Sequence, residues 1–278
     1  MSGEPLRAQR GGAKAMLLTV LGEFVLPSGG SAWTSTLVSA AGTLGIAEKN
    51  ARQALTRIAD QGLIESSRHG RRVRWGLTAD GRALLETGTE RIYSFGSTFV
   101  GWNGEWLMVH CPVPEERRAL RNQLRTRLSF LGFGELSPSL VISPHVERER
   151  ALRDVLDDLG LLDHSTVLRS TTSSSSDDAD LAAGAWDLDL LAADYRSFSD
   201  EQRRRRPSDG AGMFEAVVGL VHDWRRFAFA DPELPSELLP PSWAGTTAAS
   251  DFHELHDDWS PAARNWYEQL EAPERVAV

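Results

Sequence analysis

The hydrophobic patterning of this chain predicts an α+β protein of several domains, and three stretches carry that expectation. A helical period runs into a hairpin between Ala47 and Leu77. Apolar runs alternate with helical periods from Glu105 to Arg169, and helical periods dominate after Trp186. In order, these give an N-terminal winged helix-turn-helix over residues 1–94, a ferredoxin-like α+β domain over 95–172 and a mainly helical domain over 181–278.

Residues 1–12 show no apolar period and read as a mobile arm. From Lys14 to Leu26 a helix turns Met16, Leu17, Val20, Leu21 and Phe24 inward until Pro27-Ser28-Gly29-Gly30 stops it. A second helix opens at Ser31 or Ala32 and carries Trp33, Leu37, Val38 and Ala41 to the turn at Gly42–Gly45. The third helix puts Ala47, Ala51, Ala54, Leu55 and Ile58 on one face. Its opposite face carries Lys49, Arg52, Gln53 and Thr56, with Asn50 and Arg57 to one side, all side chains that reach phosphates and base edges. Ala47 holds the place where a polar N-cap is expected, and Glu48 in the first turn partly compensates through the helix dipole.

Gly62 closes that helix. Leu63–Ser67, a turn at Arg68-His69-Gly70-Arg71 and Arg72–Leu77 then form a hairpin whose tip gathers Arg68, His69, Arg71, Arg72 and Arg74. Successive strand residues point to opposite faces, so some of these cations must turn away from any duplex. A polar-faced helix followed by a basic hairpin points to DNA binding, with phosphate and minor-groove contacts from the hairpin. Thr78–Gly81 starts a linker helix that reaches about Tyr93.

In the middle, Glu105–His110 reads as a buried strand, and a helix from Glu115 to Leu131 buries Leu120, Leu124, Leu128 and Leu131. A strand at Ser139–Ser143, a helix at Glu147–Leu159 and a strand at Ser165–Arg169 follow, with one further strand of the ferredoxin-like set unplaced. Ser170–Asp180 is a low-complexity polar linker. The C-terminal helices span Trp186–Ser197, Gly212–Phe229 and Pro261–Leu270, separated by a proline-punctuated loop at Asp231–Trp243.

The net charge of −9 is unevenly spread. Residues 1–91 hold 12 Lys and Arg against 8 Asp and Glu, a net of +4, and the remainder holds 18 against 31, a net of −13. One segment is therefore suited to phosphates while an acidic body discourages nonspecific adhesion. The single cysteine, Cys111, excludes an internal disulfide and a multi-cysteine zinc site. No long apolar window and no signal-peptide pattern occur, so a soluble cytoplasmic protein without membrane contact is expected.

Other constellations read more plainly as structure. Arg117, Arg118, Arg121, Arg125 and Arg127 make the middle helix basic, and solvated charge paired with acidic groups is the simpler account than a second phosphate site. His110-Cys111-Pro112 ends the first middle strand without the carboxylate that metal-assisted phosphodiester cleavage needs. His253-Glu254-Leu255-His256 spaces its histidines three apart, unlike zinc proteases, and reads as a surface helix start. Arg203–Arg206 reads as a solvated turn. Trp224, Arg225 and Arg226 could receive an aromatic, anionic effector, while Trp243 suits a core. No nucleophile triad, phosphate loop or dinucleotide fingerprint is present, so no catalytic residue, metal or cofactor is expected.

Three segments resemble the PaaX family of bacterial transcriptional repressors: QGLIESSRHGRRVRWGLTADG, NGEWLMVHCPVPEERRALRNQLRTRLSFLGFGELSPSLVISP and DPELPSELLPPSWAG. The resemblance spans nearly the whole chain. It implies a homodimeric repressor on a palindromic double-stranded operator of an aromatic-acid operon of the phenylacetate type, released by an aryl-acyl-CoA such as phenylacetyl-CoA. Ala47 and Trp75 depart from the family's pattern and leave operator and inducer open. The alternatives are a same-fold repressor or activator of another pathway with a different effector, and, further off, a nuclease or hydrolase.

Overall fold

A computed structural model describes residues 12–96 and 101–275, so the arm expected over residues 1–12 lies outside the described residues except for Gly12. Helices and two small sheets build a mixed α and β architecture. The chain divides into two compact units, residues 1–95, 196–226 and 247–278 in the first and 96–195 and 227–246 in the second.

The first unit begins with α1 (Ala13–Val20), which passes into a π-helical turn at Leu21–Val25. A short strand, β1 (Ser31–Trp33), precedes α2 (Thr34–Thr43) and α3 (Glu48–Asp60). The hairpin β2 (Ile64–His69) and β3 (Arg72–Leu77) turns at Gly70, whose φ of +61° suits a residue without a Cβ. α4 (Ala79–Ser94) follows. The second helix was expected from Ser31 or Ala32, but these residues pair with β3 in the register Ser31↔Gly76 to Trp33↔Arg74 and make a three-stranded sheet, β1-β3-β2. Trp33 is thereby extended, and the helix waits until Thr34. α3 packs on α1 and α2, and Ala51, Ala54, Leu55 and Ile58 of α3 are buried, as are Leu17 and Val20 of α1 and Leu37 and Ala40 of α2.

In the second unit, β4 (Trp106–His110), α5 (Arg118–Phe130), β5 (Gly134–Ser137), β6 (Leu140–Ser143), α6 (Glu149–Asp158) and β7 (Thr166–Ser170) form an antiparallel sheet of order β5-β6-β4-β7. β5 is the strand that the sequence pattern left unplaced; Gly-Glu-Leu-Ser has too few apolar residues to announce it. The period of two in β4 splits the core. Leu107 and Val109 meet Leu124 and Leu128 of α5 and Leu152 and Leu156 of α6, while Trp106 packs with Ile142, Ala182, Leu234 and Leu238.

The polar stretch expected as linker is a helix in its second half, α7 (Ser175–Ala185). Ser174 caps it by accepting the Asp177 N–H, and Asp177 and Asp178 stand at its positive dipole end. Asp178 is buried because it accepts from the Trp106 indole at 2.8 Å and the Thr172 hydroxyl at 2.7 Å. Three long helices complete the chain: α8 (Leu188–Arg204), α9 (Gly210–Ala230) and α10 (Ala244–Arg275). Pro261, expected to open the last helix, is interior to α10, and the helix starts at Ala244. Among the described residues no helix is long and apolar enough to cross a membrane.

Candidate nucleic-acid interface

The face of α3 opposite the core is continuous. Lys49, Asn50, Arg52, Gln53, Thr56 and Arg57 are all exposed, and every buried residue of the helix lies between them in the period of 3.6. As the sequence implied, no side chain caps the helix at Ala47. Arg52 is held one turn back by Glu48, its Nε 2.8 Å from Oε1, an exposed pair that a stronger acceptor can displace. Lys49 and Arg57 have no acidic partner within 4 Å among the described residues.

The hairpin divides its cations between two directions. Trp33 is buried on β1 and draws one set inward. The Arg74 guanidinium lies 5.3 Å and that of Arg72 5.9 Å from its ring centroid, and the His69 ring meets it edge-on at 5.5 Å. Arg74 also stands 3.7 Å from the carboxylate of Glu271, which is 2% exposed and accepts the Trp33 backbone N–H at 3.5 Å. Arg74, expected among the DNA contacts, therefore has a local acidic partner. Arg68 and Arg71 have none among the described residues and are exposed. The Trp33–Glu271 contact spans 238 residues of sequence and no local signal announces it.

The effector candidates lie elsewhere. Trp224, expected at a ligand wall, is a core anchor with no exposed surface. It stacks on Phe252 at 5.0 Å, meets Phe95 and Phe198 at 5.4 Å, and donates its indole N–H to the Ile92 carbonyl at 3.1 Å. Arg225 and Arg226 are half-buried, and their charges act on buried His222. Burial first, then these two charges, lower the His222 pKa from 6.5 to about 4. The neutral ring is the folded form, so the unfolded chain binds the extra proton between those values. Stability contributed this way is present above pH 6.5 and is lost as pH falls towards 4. Urea midpoints measured across this window should fall less steeply in His222→Gln than in the parent; equal slopes would reject the assignment.

His256 is not at a surface helix start but buried in α10. The Tyr93 hydroxyl donates to Glu23 at 2.8 Å, and Nε2 of His256 lies 2.6 Å from Tyr93, 3.2 Å from Glu23 and 3.0 Å from Ser260. Burial and the Glu23 carboxylate raise the Tyr93 pKa, so the phenol stays a donor. Arg203 pairs with buried Asp251 and with Glu254, so it is not merely solvated. On α5, Arg125 and Arg127 pair with Glu135 and Asp158, both at 2.7 Å.

Three family models match the chain in succession: PaaX-like protein over residues 12–81, PaaX protein central Cas2-like domain over 100–182, and PaaX-like protein C-terminal domain over 186–269. The transcriptional repressor PaaX of Escherichia coli is 28% identical over 260 residues, covering 90% of this chain and 81% of that protein. Among solved structures, an uncharacterized protein from Mycobacterium tuberculosis superposes with a TM-score of 0.65 at 23% identity, covering 92% of this chain and 99% of its own, a likeness of fold.

Proposed function

The chain belongs to the PaaX family, and on that footing we propose that it is a ligand-released transcriptional repressor working as a cytoplasmic homodimer on a palindromic operator. It is a regulator and not an enzyme, like the Escherichia coli repressor to which it is similar. Residues 1–94 act as the arm and winged helix-turn-helix with its linker helix, 95–172 as a ferredoxin-like domain and 181–278 as the mainly helical domain.

The observation that carries this reading is the pairing of two exposed features. α3 presents six polar side chains opposite a fully buried face, and the neighbouring hairpin tip holds Arg68 and Arg71 without acidic partners among the described residues. In the operator complex α3 enters the major groove, with Asn50, Arg52 and Gln53 nearest the bases and Lys49, Thr56 and Arg57 at the backbone. Arg52 exchanges Glu48 for a guanine edge. The hairpin tip takes phosphates or the minor groove. Two copies of α3 then read half-sites about one or more turns apart, roughly 34 Å per turn.

The operon served is one for aromatic-acid breakdown of the phenylacetate type, and the inducer is an aryl-acyl-CoA. That ligand releases DNA only if it binds the DNA-incompetent dimer more tightly. Purified protein should retard its own upstream fragment without added metal and lose that shift with phenylacetyl-CoA. Gln53→Ala should cost about 1–3 kcal/mol at a single base pair and leave nonspecific binding intact. Equal retardation of upstream and random fragments would sink the reading, as would metal-dependent cleavage.

A further inference from the structure

The second unit contains a cavity of about 570 Å³, inside the range of roughly 300–1,000 Å³ usual for small-molecule clefts. Trp102, His145, Glu147, Arg148, Glu233 and Leu234 line it. Two of its carboxylates converge on one guanidinium. Arg148 is half-buried and fixed on one side, where Nη1 donates to the Leu131 carbonyl at 3.0 Å. Nη2 donates to Glu233 at 2.8 Å, and Nε stands 3.8 Å from Glu147, whose side chain is 67% exposed. An arginine held this way offers a carboxylate or phosphate a planar fork.

Glu233 fills that fork at a cost. Its φ of +58° puts a residue with a Cβ in the left-handed region, one of two such non-glycine positions among the described residues. A conformation of this kind is strained and persists only where its surroundings impose it. Here they do. The Glu233 N–H donates to Asp231 at 2.6 Å, and Pro232 and Pro235 flank it. The Pro232 carbonyl accepts from His145 Nε2 at 2.9 Å, which ties the loop to the cavity wall. Opposite chemistry comes from Trp102. Its indole N–H is satisfied by the Glu105 carbonyl at 3.0 Å and its ring is braced edge-on by Trp106 at 5.1 Å. The wall therefore combines a fixed aromatic ring with an arginine whose partner is held under backbone strain.

We propose that this cavity is a binding site for an organic anion bearing a flat ring, and that Glu233 is the internal stand-in for the ligand's anionic group. The incoming carboxylate or phosphate takes the Arg148 fork, the ring packs on Trp102 and Leu234, and the 231–235 loop relaxes as Glu233 leaves. A cationic ligand is disfavoured, because capturing Glu233 would strand the half-buried Arg148 charge beside it. The inference rests on the reading of the protein as ligand-responsive, and binding is measured without DNA so that the two can fail separately.

Full-length protein is titrated with phenylacetate, coenzyme A and phenylacetyl-CoA, following tryptophan fluorescence and heat. Saturation by phenylacetate assigns the fork to a carboxylate, and saturation only by the two coenzyme A compounds assigns it to a phosphate. Arg148→Met should weaken binding about tenfold or more, the loss expected for a charge-assisted bond. Glu233→Gln should strengthen it several-fold, since the competing carboxylate is gone while the side chain keeps its shape. That second variant keeps the test decisive if Arg148→Met folds poorly. Absence of binding by all three probes overturns the proposal, and so does binding that Glu233→Gln weakens or leaves unchanged. Protein that binds a probe in this way but fails to retard operator DNA keeps the cavity and sinks the repressor reading.

Discussion

Alanine at Lys49, Arg57, Arg68 and Arg71 together is expected to weaken binding to every duplex, operator or random, by on the order of a hundredfold or more at physiological salt. These four side chains are exposed and have no acidic partner within 4 Å among the described residues, so each is available to a phosphate. Each lost phosphate contact should lower the slope of log affinity against log salt by about 0.9, so the quadruple variant loses roughly 3 to 4 in slope. Arg52 and Arg74 are left out for a physical reason. Glu48 already engages the first, and the second leans on Trp33 beside buried Glu271. Since all four replaced groups are solvated, the unfolding midpoint should not move. Fluorescence anisotropy across a salt series checks the effect. An unchanged slope would mean that this surface does not face DNA.

The parts of this surface that were legible in the sequence are those with a local period. α3 announces itself because its buried residues recur at 3.6 and everything between them is polar. The hairpin announces itself through turn chemistry at Gly70 and the alternating Val73, Trp75 and Leu77 of its second strand. What escaped depends on distant partners or on composition. Ser31–Trp33 looks like a helix entry until β3 claims its backbone. Ser174–Asp178 looks like solvated linker because nothing local says that Trp106 will bury an aspartate there. His256 carries the chemistry of a metal ligand, yet its neighbours Glu23 and Tyr93 come from residues 233 and 163 positions away. The direction of Arg74 follows from a carboxylate on the last helix, which no hairpin pattern encodes. Trp224 shows the opposite limit: composition alone cannot separate a ligand wall from a core anchor, and only its complete burial decides.

The hairpin is also positioned by a contact that reverses an ordinary expectation about glycine. Gly81 lies in the first turn of α4, where alanine is normally preferred by about 1 kcal/mol. Propensity alone predicts that Gly81→Ala stabilises. The space forbids it, because a Cβ there would lie 1.8 Å from the Leu63 carbonyl oxygen and 2.7 Å from its carbon, both backbone atoms. The turn is locked to that peptide by Thr78, whose N–H donates to the Leu63 carbonyl at 3.2 Å. Its hydroxyl donates to Gly62 at 2.6 Å and accepts from Gly81 at 3.0 Å. Admitting a methyl group means lifting α4 off the base of β2 and losing these bonds together. The expected loss is about 3 kcal/mol or more, at the upper end of overpacking effects. Gly88→Ala in the same helix meets nothing within 4 Å and should instead gain up to about 1 kcal/mol. Opposite signs for two glycine-to-alanine changes seven residues apart in one helix separate close packing from propensity, and denaturation midpoints of the two variants read them directly. A stabilised Gly81→Ala would show that α4 and the hairpin base do not meet as described. A destabilised one should also lose operator affinity, since the displaced hairpin carries Arg68 and Arg71 away from the backbone that α3 has positioned.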